Sequence, residues 1–180
     1  MRTMQIAVIV LALGTSTLVR AQEPKRVQGF SVLLLLGETQ GAAQPENISV
    51  PARKALADIK DFLPYKSFRV LDTLWLAGSD FGNNSGRLRG IEDAADRERQ
   101  NYDFELRTFP RVPAAKPGTA DAALSRAQFT LIARSTNGFP TNMLDSSFNI
   151  SAGETVVVGT SRVQGDRALV VLLTAVAAGK

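Results

Sequence analysis

The sequence predicts an α+β domain in which one main helix packs on a curved, mostly antiparallel sheet or partial barrel of about seven or eight strands. Short runs rich in Val, Leu, Thr and Phe recur along the chain and are separated by turn residues, which is typical of strands. One stretch, residues 49–63, has the helical spacing of apolar residues instead. The resulting order, β-α-β followed by a series of antiparallel strands, indicates the α+β class.

The C-terminal part of the chain, residues 148–176, has the strongest strand pattern. Two apolar runs, residues 155–158 and 168–176, flank a polar connection that contains Gly165 and Asp166, so a β-hairpin is predicted. The second run has almost no polar interruption, and such strands usually lie in the middle of a sheet with both faces covered. We therefore expect every side chain in the middle of this run to be buried.

Residues 49–63 predict the helix. Ser49 suits the N-cap position, Pro51 is tolerated in the first turn, and Pro64 is expected to end the helix. The apolar face is predicted to consist of Ala52, Ala55, Leu56, Ile59, Phe62 and Leu63.

Four further segments are predicted strands, namely residues 29–37, 67–77, 101–108 and 126–134. The first is a continuous apolar run bounded by glycines, whereas the last two alternate apolar and polar residues as half-exposed antiparallel strands do.

Two polar stretches between these segments predict turns or loops. Residues 78–86 are rich in Gly, Asn and Ser, and residues 135–145 contain Gly138 and Pro140. A short strand is expected over residues 87–91.

The strand of residues 67–77 carries Trp75, the single tryptophan of the chain. Strict alternation places Phe68, Val70, Leu74 and Leu76 on one side and Trp75 on the other. Asp72 falls among the apolar set, and this conflict predicts a bulge or a sheet edge.

The first 21 residues predict a secretory signal peptide. They begin with a basic residue, continue with a short apolar run at residues 6–13, and end on Val19-Arg20-Ala21, which is typical of a signal-peptidase site. The run is too short to span the roughly 30 Å of bilayer hydrocarbon. We therefore expect export, a flexible lead over residues 22–28, and a single α+β domain over residues 29–180.

The composition restricts the chemistry. The chain contains no Cys and no His, which excludes thiol nucleophiles, Ser-His-Asp triads, His-ligated zinc and imidazole acid–base catalysis. Removal of residues 1–21 takes away two basic residues and no acidic one, so the formal net charge falls from +4 to about +2. This weak basicity does not indicate a nucleic-acid partner.

An arginine cluster is the first candidate binding site. Arg87, Arg89 and Arg107 are expected around one hairpin, and guanidinium groups bind phosphates, polyanions and anionic lipids. Acidic residues lie between them, so a mixed-charge surface is the competing interpretation. Trp75 is the other candidate binding residue.

Catalytic and metal-binding interpretations are weaker. Asp103 and Glu105 face outward from one predicted strand, and paired carboxylates serve acid–base catalysis, but acids alternating with apolar residues are also usual on an exposed sheet face. The oxygen-bearing side chains of residues 80–85 lack the spacing of a calcium loop. We expect no catalytic centre, no metal site and no cofactor.

One motif resembles a known family. Residues 153–159, Gly-Glu-Thr-Val-Val-Val-Gly, resemble a segment of the bacterial secretins, the outer-membrane channels of secretion and pilus systems, and residues 168–176 resemble a later strand of theirs. The likeness covers about 25 residues, and it departs from the family pattern at Thr160, where a second glycine is usual. As a whole, the chain is similar to uncharacterised exported bacterial proteins, which implies a location and no activity.

Three classes of function stay open. The absences above favour a non-catalytic exported protein of the cell envelope, a binding or assembly module of the periplasm or outer membrane. Its partner would be another envelope protein, with peripheral membrane contact and no nucleic acid. The alternatives are a carrier of a small apolar ligand held between helix and sheet, in a pocket lined by Trp75, Phe104 and Phe129, and a secreted hydrolase that uses carboxylates.

Overall fold

A computed structural model of the chain describes residues 27–41, 47–78, 82–92, 99–109, 125–134, 139–163 and 165–178. These residues form one helix and eight strands. Their bounds are β1 Val27–Glu38, α1 Val50–Lys60, β2 Ser67–Ala77, β3 Gly82–Glu92, β4 Arg99–Phe109, β5 Ser125–Arg134, β6 Thr141–Ile150, β7 Thr155–Arg162 and β8 Arg167–Ala177.

The strands form two four-stranded antiparallel sheets. The first sheet has the order β2-β1-β8-β7 and the second has the order β3-β4-β5-β6. Strand β2 lies beside β3, and β6 lies beside β7. Each strand is therefore next to the strands that precede and follow it in sequence, and β8 is next to β1. The protein is therefore mostly β, with eight strands in two antiparallel sheets and one short helix, which is roughly compatible with the predicted curved sheet or partial barrel.

The main core lies between the two sheets, because every second side chain of the central strands points inward. From the first sheet it receives alternate residues of β1 and β8, such as Phe30 and Leu173, and from the second sheet alternate residues of β4 and β5. In β4 and β5 the predicted inward residues are confirmed as buried: Tyr102, Phe104, Leu106, Ala127, Phe129, Leu131 and Ala133.

A second, smaller core lies on the outer face of the first sheet. Ala52 and Leu56 of α1 belong to one apolar cluster with residues of β1, β2 and β8, among them Leu33, Phe68 and Leu172. The helix begins as predicted, because the Ser49 side-chain oxygen accepts a hydrogen bond of 3.3 Å from the Ala52 backbone N–H.

Strand β8 confirms the prediction of a strand covered on both faces. It lies between β1 and β7, and four successive residues of its middle, Val170, Val171, Leu172 and Leu173, are each no more than 1% exposed. Val171 and Leu173 point into the core between the sheets, whereas Val170 and Leu172 point into the core beside the helix.

A bulge in β2 corrects the predicted faces of that strand. Leu34 of β1 pairs with Asp72 but Leu35 pairs with Val70, so Leu71 is the extra residue. The bulge reverses the alternation, and Phe68 and Val70 therefore lie on the outer face, opposite to Leu74 and Leu76. The bulge inferred from the misplaced Asp72 is thus confirmed, whereas the grouping of the four apolar residues on one side is wrong.

The Asp72 carboxylate has a structural use at this bulge. Its Oδ1 atom accepts a hydrogen bond of 2.9 Å from the Thr73 backbone N–H, and Oδ2 accepts one of 2.7 Å from the Arg89 backbone N–H. Arg89 lies on β3, the first strand of the second sheet. The carboxylate therefore satisfies a backbone donor on the edge of β3 and joins the two sheets at their corner.

Three other local predictions are wrong. Residues 82–86 belong to strand β3 and residues 141–145 to strand β6, although both stretches read as turns or loops. Helix α1 ends at Lys60, and Phe62 beyond it is 86% exposed and not part of an apolar helix face.

The signal peptide, the flexible lead up to residue 26 and Asp80, one of the oxygen-bearing loop residues, lie outside the described residues. The helix that the described segments contain is too short and too polar to cross a bilayer.

Candidate functional site

The outward face of the second sheet carries a network of ion pairs. Arg87 of β3 donates a hydrogen bond of 2.8 Å from Nε to Asp103 Oδ1 on β4, and Arg134 of β5 pairs with the other oxygen of the same carboxylate. The register explains this arrangement, because Arg87 lies directly opposite Asp103. The hydrogen bond from Arg87, with a further contribution from Arg134, lowers the pKa of Asp103.

A second carboxylate on this face is held in the same way. Arg107 donates to Glu105 Oε1 at 2.9 Å from its neighbouring outward position on β4, and Asn83 of β3 donates to the same oxygen at 2.7 Å. These two hydrogen bonds, that from Arg107 first, lower the pKa of Glu105.

The three arginines predicted around one hairpin lie on the neighbouring strands β3 and β4, and two of them are paired with different carboxylates. Arg87, Arg89 and Arg107 all lie exposed on β3 and β4, as the sequence predicted. Arg87 and Arg107 are engaged with the acidic residues between them. A carboxylate with a lowered pKa that accepts charge-assisted hydrogen bonds is a poor proton acceptor at neutral pH, so this pairing does not favour an acid–base role for the two acids.

Trp75 lies on the opposite side of the molecule, on the outward face of the first sheet. Its side chain is half exposed, and its indole lies across the backbone of Gly29 on the neighbouring strand. A Cβ atom at Gly29 would come within 2.8 Å of Trp75 Cζ2, so the ring can occupy this position because residue 29 has no side chain.

Trp75 belongs to one register row that crosses all four strands of the first sheet. Trp75 of β2 pairs with Ser31 of β1, Ser31 pairs with Thr174 of β8, and Thr174 pairs with Thr155 of β7. We call these four residues the hydroxyl row. The two threonine hydroxyls share a hydrogen bond of 2.8 Å, and all four side chains are partly exposed.

The pocket that would support a carrier is not formed by the residues predicted for it. Phe104 and Phe129 are stacked on each other in the core between the sheets, with ring centroids 5.5 Å apart, and both are almost fully buried. Trp75 is on the far face of the first sheet. Trp75 therefore lies in a different layer from the two phenylalanines.

The buried polar groups serve the fold. Tyr102 points into the main core and donates its hydroxyl proton to Gln100 Oε1 at 3.2 Å, and the burial raises the pKa of Tyr102 to about 12. A tyrosine with such a pKa stays neutral at physiological pH. Within the described segments, no group of three or more acidic side chains is arranged to hold a metal ion.

Sequence reasoning missed two parts of these surfaces. Arg134 reaches Asp103 only because β5 pairs with β4 in one particular register, and the sequence does not fix that register. The hydroxyl row joins β1 with β8, and such long-range pairs leave no local signal. The position of Asp72 among apolar residues was the available sequence signal of the bulge, and the bulge determines which residues of β2 share a face with Trp75.

Comparisons with family models, curated proteins and solved structures find no match for this chain. The likeness of residues 153–159 to secretins stays a prediction. In the structure, Glu154 accepts a hydrogen bond of 2.7 Å from the Ser151 backbone N–H in the turn that precedes β7, and Thr155 contacts Thr174. These contacts give the Gly-Glu-Thr motif a local structural role.

Proposed function

We propose that this protein is a non-catalytic binding module of the cell envelope, exported to the periplasm or the outer membrane, where it contacts another envelope component through its outward sheet faces. The main observation behind the proposal is that the outward carboxylates are paired with arginines. Asp103 and Glu105, the acids best placed for chemistry, are both neutralised by arginines at hydrogen-bonding distance.

The interior supports the same proposal. The space between helix α1 and the first sheet, where the carrier alternative places its ligand, holds a cluster of buried apolar side chains such as Leu35, Ala52 and Leu172. A carrier of apolar ligands needs a cavity, and a packed core of this kind leaves the outward faces for recognition. The hydrolase alternative loses support because its carboxylates are engaged.

The proposal includes the finer arrangement of the helix. Helix α1 covers only part of the outer face of the first sheet, the part near Leu33, Leu35 and Val170. This placement is supported by the apolar cluster that these residues form with Ala52 and Leu56. The other part of that face, around Trp75, is then free to recognise a partner.

A capture experiment tests the function. The purified protein, immobilised and incubated with solubilised envelope, is expected to retain a specific component, and the variant Asp103→Asn with Glu105→Gln is expected to retain the same one. Failure of the wild-type protein to retain any envelope component would refute the proposal. Loss of a measured enzymatic activity in a folded double variant would replace it with a hydrolase.

Export has its own test. Mass spectrometry of the protein isolated from its native cell is expected to find Gln22, or a residue within a few positions of it, at the N-terminus, since signal peptidase would cut after Ala21. A mature form that retains Met1 in the cytoplasm would contradict export and leave the binding proposal without its location.

A further inference from the structure

The exposed part of the first sheet combines an aromatic ring with hydroxyl groups in one line. The hydroxyl row presents the face of Trp75 at one end and the side chains of Ser31, Thr174 and Thr155 beyond it. With about 4.8 Å between neighbouring strands, the row extends over about 14 Å. This length accommodates several consecutive units of a chain molecule that crosses the strands.

The indole is held as a platform. It rests on Gly29, where a side chain would displace it, and half of its surface faces solvent. An exposed tryptophan costs solvation energy, and its amphipathic ring is suited to a ligand that has one apolar face and polar edges. A ring seated on rigid backbone loses little entropy on binding.

The row is also electrically neutral. None of its four side chains is charged. The positions on the same side of the sheet in the two neighbouring register rows are uncharged as well, namely Thr73, Leu33, Leu172, Val157, Ala77, Gly29 and Val176, of which Leu33 and Leu172 are buried in the cluster that includes α1. A nucleic acid or another polyanion needs Lys or Arg to neutralise its phosphates or sulfates. A wholly apolar ligand would cover these hydroxyl groups and offer them no hydrogen-bonding partner beyond the one bond that Thr155 and Thr174 share.

We propose that the hydroxyl row binds a neutral polysaccharide, with the apolar face of one sugar ring stacked on Trp75 and the hydroxyl groups of the following rings hydrogen-bonded to Ser31, Thr174 and Thr155. The charge of the surface complements this ligand, because a polyol offers neutral donors and acceptors along its whole length. In the bond between Thr155 and Thr174 one hydroxyl donates its proton to the other, so the accepting hydroxyl still has its own proton to donate to a ligand and both oxygens keep lone pairs that can accept. This inference rests on the proposed binding function and names its ligand class.

Intrinsic fluorescence gives a direct test, because Trp75 is the single tryptophan of the chain. Titration of the purified protein with cellotetraose and with chitotetraose, two neutral β-linked oligosaccharides, is expected to change the tryptophan emission in a saturable way for at least one of them. Heparin, as a polyanion, is expected to leave the emission unchanged. Excitation at the red edge of the tryptophan band avoids the two tyrosines.

Variants separate the parts of the row. Thr174→Val keeps the shape of the side chain and should weaken binding by about three- to tenfold, since one hydrogen bond is lost. Trp75→Ala, followed by calorimetry, should weaken it by about tenfold or more, and Trp75→Tyr should restore part of the loss. Phe109→Ala, which removes a partly exposed aromatic ring from the second sheet, should have no effect.

The outcomes distinguish this inference from the function on which it rests. No emission change with either oligosaccharide up to about 10 mM, or equal binding by wild type and Thr174→Val, would overturn the polysaccharide site. If the envelope capture still succeeds in that case, the binding function stands with another ligand. If the capture fails too, both proposals fall. Unchanged thermal unfolding of Thr174→Val shows that a lost affinity is not a loss of fold.

Discussion

Asp103 is the residue through which three strands of the second sheet interact on the outward face. Arg87 comes from β3 and Arg134 from β5, and both bind the carboxylate of the strand between them. The alternation of β4 predicts that Asp103 faces outward with Glu105, because the apolar residues between them face inward. The identity of the partners depends on register, which no single strand encodes.

The lowered pKa of Asp103 predicts how stability depends on pH. A carboxylate whose pKa is lower in the folded state stabilises the fold above its unfolded pKa of about 3.9, and this contribution is lost as the pH falls through the folded value. Urea unfolding of the wild-type protein should therefore show a midpoint that declines as the pH is lowered below about 4. Asp103→Asn should reduce that decline.

A matched comparison isolates the ion pairs from the general effect of acid. Asp145→Asn changes an outward acid of β6 that accepts a hydrogen bond of 3.2 Å from Gln128 and has no arginine partner among the described ion pairs. This substitution removes an outward acid without breaking an ion pair, so it serves as the reference for Asp103→Asn. Equal slopes for Asp103→Asn and wild type would show that the network contributes nothing to folding.

Strand β8 is the element that both cores share. Because Val171 points into one core and Leu172 into the other, Asp at either position would bury an unpaired charge. Each of Val171→Asp and Leu172→Asp should cost several kcal/mol, out of the roughly 5–15 kcal/mol that a domain has, and should prevent stable folding at 37 °C. Denaturation midpoints, or the soluble yield where no midpoint can be measured, check this.

The exposed strand β7 offers the control for these two substitutions. Thr160→Asp places the same charge on the sheet at an exposed position directly opposite Val170. Its unfolding free energy should stay within about 1 kcal/mol of wild type. A nearly silent Leu172→Asp would mean that the helix does not cover the outer face at this point.

The elements differ in how clearly their sequences predict them. Strands β1 and β8 are long apolar runs and were predicted with nearly their observed bounds. Helix α1 has a capping serine, so its start was predicted, but it ends three residues before the predicted end. Strand β6 was missed because polar residues such as Asn142 and Ser146 fill it, and its inward set, from Leu144 to Ile150, is only partly apolar. Residues 82–86 of β3 were missed because Gly and Asn are rare in strands.

At the scale of the whole molecule, the two sheets meet at corners that glycine makes possible. At the corner of β2 and β3, Leu74 and Phe104 occupy the space beside Gly86, and an added Cβ atom would come within 2.6 Å of Leu74 Cδ2. At the corner of β6 and β7, Leu144 lies equally close to Gly159. The sequence predicted neither corner, because a division into two sheets depends on contacts between distant segments.

These corners predict unequal effects of alanine. Gly86→Ala should cost about 1–3 kcal/mol, because the Phe104 ring beside it is stacked on Phe129 and cannot move aside. Gly159→Ala should cost less, since a Cβ there meets only the end of the partly exposed Leu144 side chain. Equal costs in chemical denaturation would contradict this account of the corners, and the outward Ser85→Ala should stay within about 0.5 kcal/mol.

The pairing of β1 with β8 has a consequence for the order in which the chain becomes a folded protein. Every other ladder joins strands that follow each other in sequence, so those pairs close over much shorter stretches of chain, the longest being residues 39–66 between β1 and β2. Both cores, however, need β1 and β8 together. A chain that is still being synthesised, or threaded through a membrane pore from its N-terminal side, contains hairpins but neither core, and it acquires its cooperative stability only when the last strand arrives.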